Sequence, residues 1–132
     1  MAEGFEPLPR RTQDIGTGVL DAAFAVHKAL GPGLLESAYE ICLEHELVQR
    51  GHEVQRQVPL PVVYDTVMLE AGYRIDLVVD GAVIVEVKSV EAIAPVHEAQ
   101  VLTYLKLSER RLGYLINFNV ALLKQGVKRM IL

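Results

Sequence analysis

GYRIDLVVDGAVIVEVKSV, residues 72–90, is the stretch that decides the fold. Its β-branched, apolar runs on either side of Asp80-Gly81 read as two strands joined by a turn. Asp76 lies in the first strand, and Glu86 and Lys88 lie two apart in the second, so the latter two share a face. A sheet this apolar is normally covered on both sides, and an ionised group within it needs a partner, a metal or a wet cleft. With a two-residue turn at Asp80-Gly81, Val79 faces Ala82 and Asp76 faces Val85, which puts Asp76 and Glu86 on opposite faces. A cation shared by the two acids therefore requires a three-residue turn, a bulge or a bend in the strand.

Upstream, residues 54–64, VQRQVPLPVVY, are extended, with Pro59 and Pro61 confining at least part of the run to a sheet edge. Residues 67–69 follow a short polar turn and are expected to pair back on it. Before them, Ile15, Val19, Ala22, Val26 and Ala29 recur at helical spacing. Thr12 is the expected N-cap of that helix, Asp14 suits its N-terminal dipole, and Gly31-Pro32-Gly33 ends it. His27 and Lys28 in its last turn read as dipole-complementing cations. A second helix is expected over residues 35–50, burying Leu35, Tyr39, Cys42, Leu43 and Leu47, with Glu36, Glu40 and Glu44 as a solvated i, i+4 stripe.

Downstream, Ala94-Pro95 closes the extended region, and residues 96–107 read as a helix with Ala99, Leu102, Tyr104, Leu105 and Leu107 apolar. Residues 112–118 read as a buried strand, 119–126 as a connection and 127–132 as a last strand. The expected architecture is an α/β sandwich around a central mixed β-sheet flanked by helices. Residues 1–11, with Pro7 and Pro9 and no periodicity, are expected as a flexible arm, and residues 12–132 as one domain.

The 132 residues suit one domain, and 51 % hydrophobic with 23 % charged residues is a globular composition. No run reaches the roughly 18 to 20 apolar residues of a membrane span, and the first eleven residues lack the apolar core of an export signal. The lone Cys42 forms no internal disulfide and reads as a small buried hydrophobe, so a reduced, cytoplasmic setting is expected. A net charge of −4 argues against nucleic-acid binding by bulk electrostatics. Any basic patch has to be local, and Arg110, Arg111, Lys124, Lys128 and Arg129 are its candidates, against a default of scattered solvated charge.

Two carboxylates on neighbouring strands suit a hard divalent cation, Mg²⁺ or Mn²⁺, with the Val87 carbonyl as a further oxygen ligand. Lys88 on the Glu86 face adds a point charge able to orient water or to balance charge on a phosphate, which is the logic of metal-assisted phosphodiester hydrolysis. Beyond this trio, Gly33-Leu34-Leu35-Glu36-Ser37-Ala38-Tyr39 matches a GxxExxY signature. The blocks His97-Glu98-Ala99-Gln100, Thr103-Tyr104-Leu105 and Leu115-Ile116-Asn117-Phe118-Asn119 follow in order. With them the chain resembles the GxxExxY protein family, placed in the PD-(D/E)XK nuclease-like superfamily, from about Ile15 to its end. The usual proline before the aspartate is absent, since Ile75 stands there.

The resemblance implies a restriction-endonuclease-like fold and a nuclease that hydrolyses nucleic acid, DNA before RNA, with metal-activated water. Asp76 and Glu86 correspond to the metal carboxylates, Lys88 to the catalytic lysine, and Glu36 to the helix glutamate at or near the metal. Gln100 and Tyr104 look like a Gln-x-x-x-Tyr element that places lysine or substrate, though Tyr104 equally suits plain core packing. His97 reads as a solvated or capping imidazole or as a site-facing one. The rival is a catalytically silent binding or assembly module with the same fold, in which Lys88 pairs with Asp76 or Glu86. A homodimer is compatible with an apolar edge.

Overall fold

The structure, a computed structural model, describes residues 6–70 and 72–132. Helix α1 spans Arg10–Leu30 and buries Ile15, Val19, Ala22, Ala23 and Val26, the spacing of one helical face. It starts two residues before the expected Thr12 cap. Pro9 stands at its N-cap, fixed at φ −54°, and its carbonyl accepts the Gln13 N–H at 3.1 Å, so Thr12 lies inside the first turn. Of the expected arm, residues 1–5 fall outside the described residues. The rest is tied down: Leu8 is buried in the core, and the Arg111 guanidinium donates to the carbonyls of Glu6 and Pro7.

Helix α2 spans Glu36–Gln49 and buries Tyr39, Leu43 and Leu47. Leu35 is not on that face; it precedes the helix as its N-cap and is 77 % exposed. Gly31 turns the chain between α1 and α2 at φ 67°, in the left-handed region open to glycine. Tyr39 secures this turn, its hydroxyl donating to the Gly31 carbonyl and accepting the Leu34 N–H. Its ring stacks on Phe118 at 4.6 Å between centroids. The tyrosine of the GxxExxY signature is thus a structural element, and Cys42 packs half-buried against the same core.

The sheet follows: β1 Val54–Pro59, β4 Arg74–Val79, β5 Val83–Lys88, β6 Leu112–Asn117 and β7 Val127–Ile131, in the order β1-β4-β5-β6-β7. Only β5 and β6 are parallel, joined over the sheet by α3, Pro95–Ser108, so the sheet is mixed as expected. Between β1 and β4 the chain makes a separate two-stranded hairpin of β2 Val62–Tyr64 and β3 Val67–Leu69.

Alternating residues send β5 to two cores. Val83, Val85 and Val87 join Leu77, Val79 and the helices α1 and α2, while Ile84 joins Val78, Leu115 and α3. Helix α3 meets the sheet with Val101, Tyr104 and Leu105, one i, i+3, i+4 face; Ala99 and Leu102, expected on the apolar side, lie on the exposed one. Among the described residues no helix is long and apolar enough to cross a membrane. The candidate basic patch is partly consumed by the fold, with Arg110 donating to the Gly81 carbonyl and Arg111 to those of Glu6, Pro7 and Leu132.

Candidate active site

The site depends on one residue of register. Val79 pairs with Val83, Val78 with Ile84 and Leu77 with Val85, so the turn holds three residues, Asp80, Gly81 and Ala82. The Ala82 N–H closes on the Val79 carbonyl at 3.0 Å, and Asp80 and Gly81 take φ of 50° and 67°. Val79 therefore faces both Ala82 and Val83, and the extra residue brings Asp76 opposite Glu86.

Regular pairing of β4 with β5 stops at Leu77 and Val85, and beyond it the carboxylates receive the backbone donors. The Asp76 N–H donates to Glu86 Oε2 at 2.7 Å, and the Val87 N–H donates to Asp76 Oδ2 at 2.8 Å. Facial alternation also breaks here, since Ile75 joins the α3-side core while Leu77 and Val79 join the other. The strands thus part into a fork lined by two acids. Val87 presents its carbonyl on the same strand edge as its N–H, the edge that faces Asp76.

A third acid comes from α2, and it is Glu40. It is 7 % exposed, accepts the Arg56 guanidinium at 3.2 Å, and takes the Gln57 amide on both oxygens. Glu36, assigned this place by resemblance, is exposed at the first residue of the helix, and its carboxylate makes no hydrogen bond or ion pair to another described residue. Around the helix axis Glu36 and Glu40 lie within about 20° of Leu43 and Leu47 respectively, so both face the sheet side. Position along the axis separates them, because Glu40 stands one turn further in. The solvated stripe is therefore corrected: Glu40 is buried, and Glu44 is half-buried with Arg56 Nε at 3.4 Å.

Gln57 completes the rim and carries no mark in the sequence. It stands in β1 opposite Asp76, between the pairs Arg56–Leu77 and Val58–Ile75, and its left-handed φ of 56° interrupts the ladder there. Lys88 is half-buried and makes no ion pair within 4.0 Å of any described acid. On the α3 side, Gln100 Nε2 donates to the Tyr104 hydroxyl at 3.0 Å. Burial, and then the Glu86 charge, raise the Tyr104 pKa. An apolar groove of about 440 Å³ between α3 and the β2–β3 hairpin opens at Gln100 and Tyr104.

Both histidines singled out in the sequence have structural partners. His27 is buried and its Nε2 meets the Val120 carbonyl at 2.7 Å, a link across the fold rather than a dipole contact. His97 Nδ1 accepts the Ala94 N–H at 3.0 Å and so caps α3. Asn117 clasps Val90 with its amide N–H donating to the carbonyl and its oxygen accepting the N–H, fixing the chain just past Lys88.

The acids are short of positive charge. Burial above all, with Glu40 adding repulsion against the pull of the Val87 N–H and Lys88, raises Asp76 from 3.8 to about 6. Burial and then the Asp76 charge raise Glu86 from 4.5 to about 8. A set of hard oxygens that resists ionising together fits a hard divalent cation. The carboxylates are nonetheless not closed around a point: among the described residues no three His, Cys, Asp or Glu side chains stand at ligating distance from one another.

A family model described as the PD-(D/E)XK nuclease superfamily matches residues 13–130, which include the fork, Glu40 and α3. No curated protein and no solved structure matches the chain.

Proposed function

Because the chain belongs to the PD-(D/E)XK nuclease superfamily, we propose that it is a divalent-cation-dependent phosphodiester hydrolase acting on nucleic acid, DNA before RNA. The observation that carries this reading is the fork, where an extra turn residue sets Asp76 against Glu86 beside a Lys88 that makes no ion pair within 4.0 Å of a described acid. The GxxExxY signature over residues 33–39 supports a place within the superfamily beside the proteins of that name.

Asp76, Glu86 and the Val87 carbonyl would hold Mg²⁺ or Mn²⁺, with Glu40 in the place first given to Glu36. Bound there, the cation supplies Lewis acidity toward phosphate oxygens and a nucleophile at neutral pH. Lys88, a point charge on the Glu86 face, orients the attacking water and balances charge building on the phosphate. Gln100 donates to Tyr104 and so leaves the phenolic proton for a substrate oxygen. The water oxygen bonds to phosphorus as one ester P–O bond breaks, and the products are a phosphomonoester and a hydroxyl. The silent-module rival requires Lys88 locked to Asp76 or Glu86, and the unpaired Lys88 favours the enzyme over it.

The test is cleavage of single-stranded, duplex and branched DNA and RNA with Mn²⁺, comparing the native protein with Glu86→Gln. Substitution keeps the shape and removes the charge, and a loss of about 100-fold or more is expected, the scale of a group acting on transition-state charge. Equal cleavage by both proteins identifies a contaminant or a different ligand, and no cleavage by either favours the silent module.

A further inference from the structure

Among the described residues Gln57 is the one non-acidic side chain that hydrogen-bonds to two of the three acids. Its Nε2 lies 2.9 Å from Glu40 Oε1, 3.0 Å from Glu40 Oε2 and 3.3 Å from Asp76 Oδ1. Nearly equal distances to both Glu40 oxygens put the nitrogen on the bisector of that carboxylate. That is where a cation chelated by Glu40 would sit, and Asp76 reaches the same atom from the other side. An amide NH₂ offers two protons and a partial positive charge, so it imitates a cation weakly.

The backbone is arranged to deliver this group. Gln57 is held at φ 56° in the middle of a strand, a left-handed conformation that is strained for a residue with a β-carbon. Among the described residues three other non-glycine residues also take positive φ, but Asp65, Asp80 and Glu109 lie in turns or at a helix end, and only Gln57 lies inside a paired strand. The side chain is exposed, so it can swing into solvent without disturbing the core.

We propose that Gln57 is a built-in stand-in for the cation, holding Glu40 and Asp76 in place until an incoming divalent ion displaces its amide. This rests on the cation site proposed above. Gln57 then acts as a positioning residue that competes with the ion: it stabilises the metal-free fork and weakens apparent affinity. Its wedged nitrogen lies between Glu40 and Asp76 and so occupies the space in which those two would close on a cation.

Mn²⁺ binding by the full chain, followed by electron paramagnetic resonance of the free ion, tests this without a nucleic-acid substrate. Gln57→Met keeps the reach and removes the donors; Gln57→Gly removes the side chain and relaxes the backbone, and decides the matter if circular dichroism finds the methionine variant misfolded. Both variants are expected to bind Mn²⁺ about 3- to 10-fold more tightly than the native protein, the range of one partly exposed hydrogen bond. The melting temperature of Gln57→Met in chelator is expected to fall, with a larger rise on adding Mn²⁺. Native binding with unchanged or weaker binding in the variants overturns the stand-in and leaves the cation site intact. Absence of Mn²⁺ binding in all three proteins overturns both.

Discussion

Asp76 lies within β4 and Asp80, four residues on, lies in the turn that follows it, and the protein treats their carboxylates in opposite ways. Asp80 sits at the turn, where His52 Nδ1 meets Oδ2 at 2.6 Å and the Glu53 N–H meets Oδ1 at 2.8 Å. Burial pushes its carboxyl up, but His52 and the Glu53 N–H outweigh burial and leave it below its ordinary value. Gly18 makes room for this pairing, since a β-carbon there would come within 2.7 Å of His52 Nε2. Asp76 receives one backbone N–H and one amide, faces two other acids, and is held above its ordinary value. A carboxylate that serves only the fold has its donors supplied. One left crowded and under-compensated keeps a raised pKa, which marks it as a candidate for function rather than for the fold alone.

The sharpest way to break the comparison is to test which α2 acid belongs to the crowded end. Glu40→Gln is expected to lower Mn²⁺-dependent cleavage about 10- to 100-fold, the range for groups that support a metal centre. Glu36→Gln is expected to stay within about twofold, as for an exposed substitution away from the site. The reverse result in a cleavage assay would return the helix-glutamate role to Glu36 and make Glu40 a partner of Arg56 alone.

The choice between Glu36 and Glu40 shows where reading a chain reaches its limit. The elements were legible because their signals are local: helical spacing from Ile15 to Val26, β-branched runs around Asp80-Gly81, proline before α3. Asp76, Glu86 and Lys88 were legible by type and spacing. Their meeting was not, because Asp80-Gly81 signals a two-residue turn and the third turn residue, Ala82, bears no chemical mark. Glu36 and Glu40 share a helical face, and only the depth at which α2 crosses the sheet separates them. His27 looked like a dipole cation because its real partner, Val120, is 93 residues away. Gln57 lies in a backbone state that no residue type announces unless it is glycine.

A second contrast between the two ends appears in the pH dependence of the metal-free protein. Glu86 and Asp76 have folded pKa values raised to about 8 and about 6. The stability they contribute is fully present below their unfolded values near 4.5 and 3.8 and is lost as pH rises through the folded ones. Asp80 is lowered, so its contribution is present above 3.8 and is lost as pH falls below that value. Urea unfolding in chelator is therefore expected to give stability that declines from pH 5 toward pH 8, and Glu86→Gln is expected to flatten that decline. An unchanged slope in the variant would place the alkaline loss elsewhere.

The smallest effect belongs to the satisfied end. Asp80→Asn keeps one acceptor oxygen for the Glu53 N–H and removes the charge that faces His52, so a loss of about 1–2 kcal/mol in unfolding free energy is expected at pH 7. The turn is also held by the Asp80 N–H donating to the Glu53 carbonyl and by Arg11 and Arg110 donating to the carbonyls of Asp80 and Gly81, none of which the change removes. The three-residue register, and with it the facing of Asp76 and Glu86, is expected to persist. Cleavage by Asp80→Asn should stay near the native rate at a temperature where both are folded. A large fall in cleavage without a matching fall in stability would mean that the turn carboxylate tunes the acids at the far end of the hairpin, and the two ends would then have to be treated as one site.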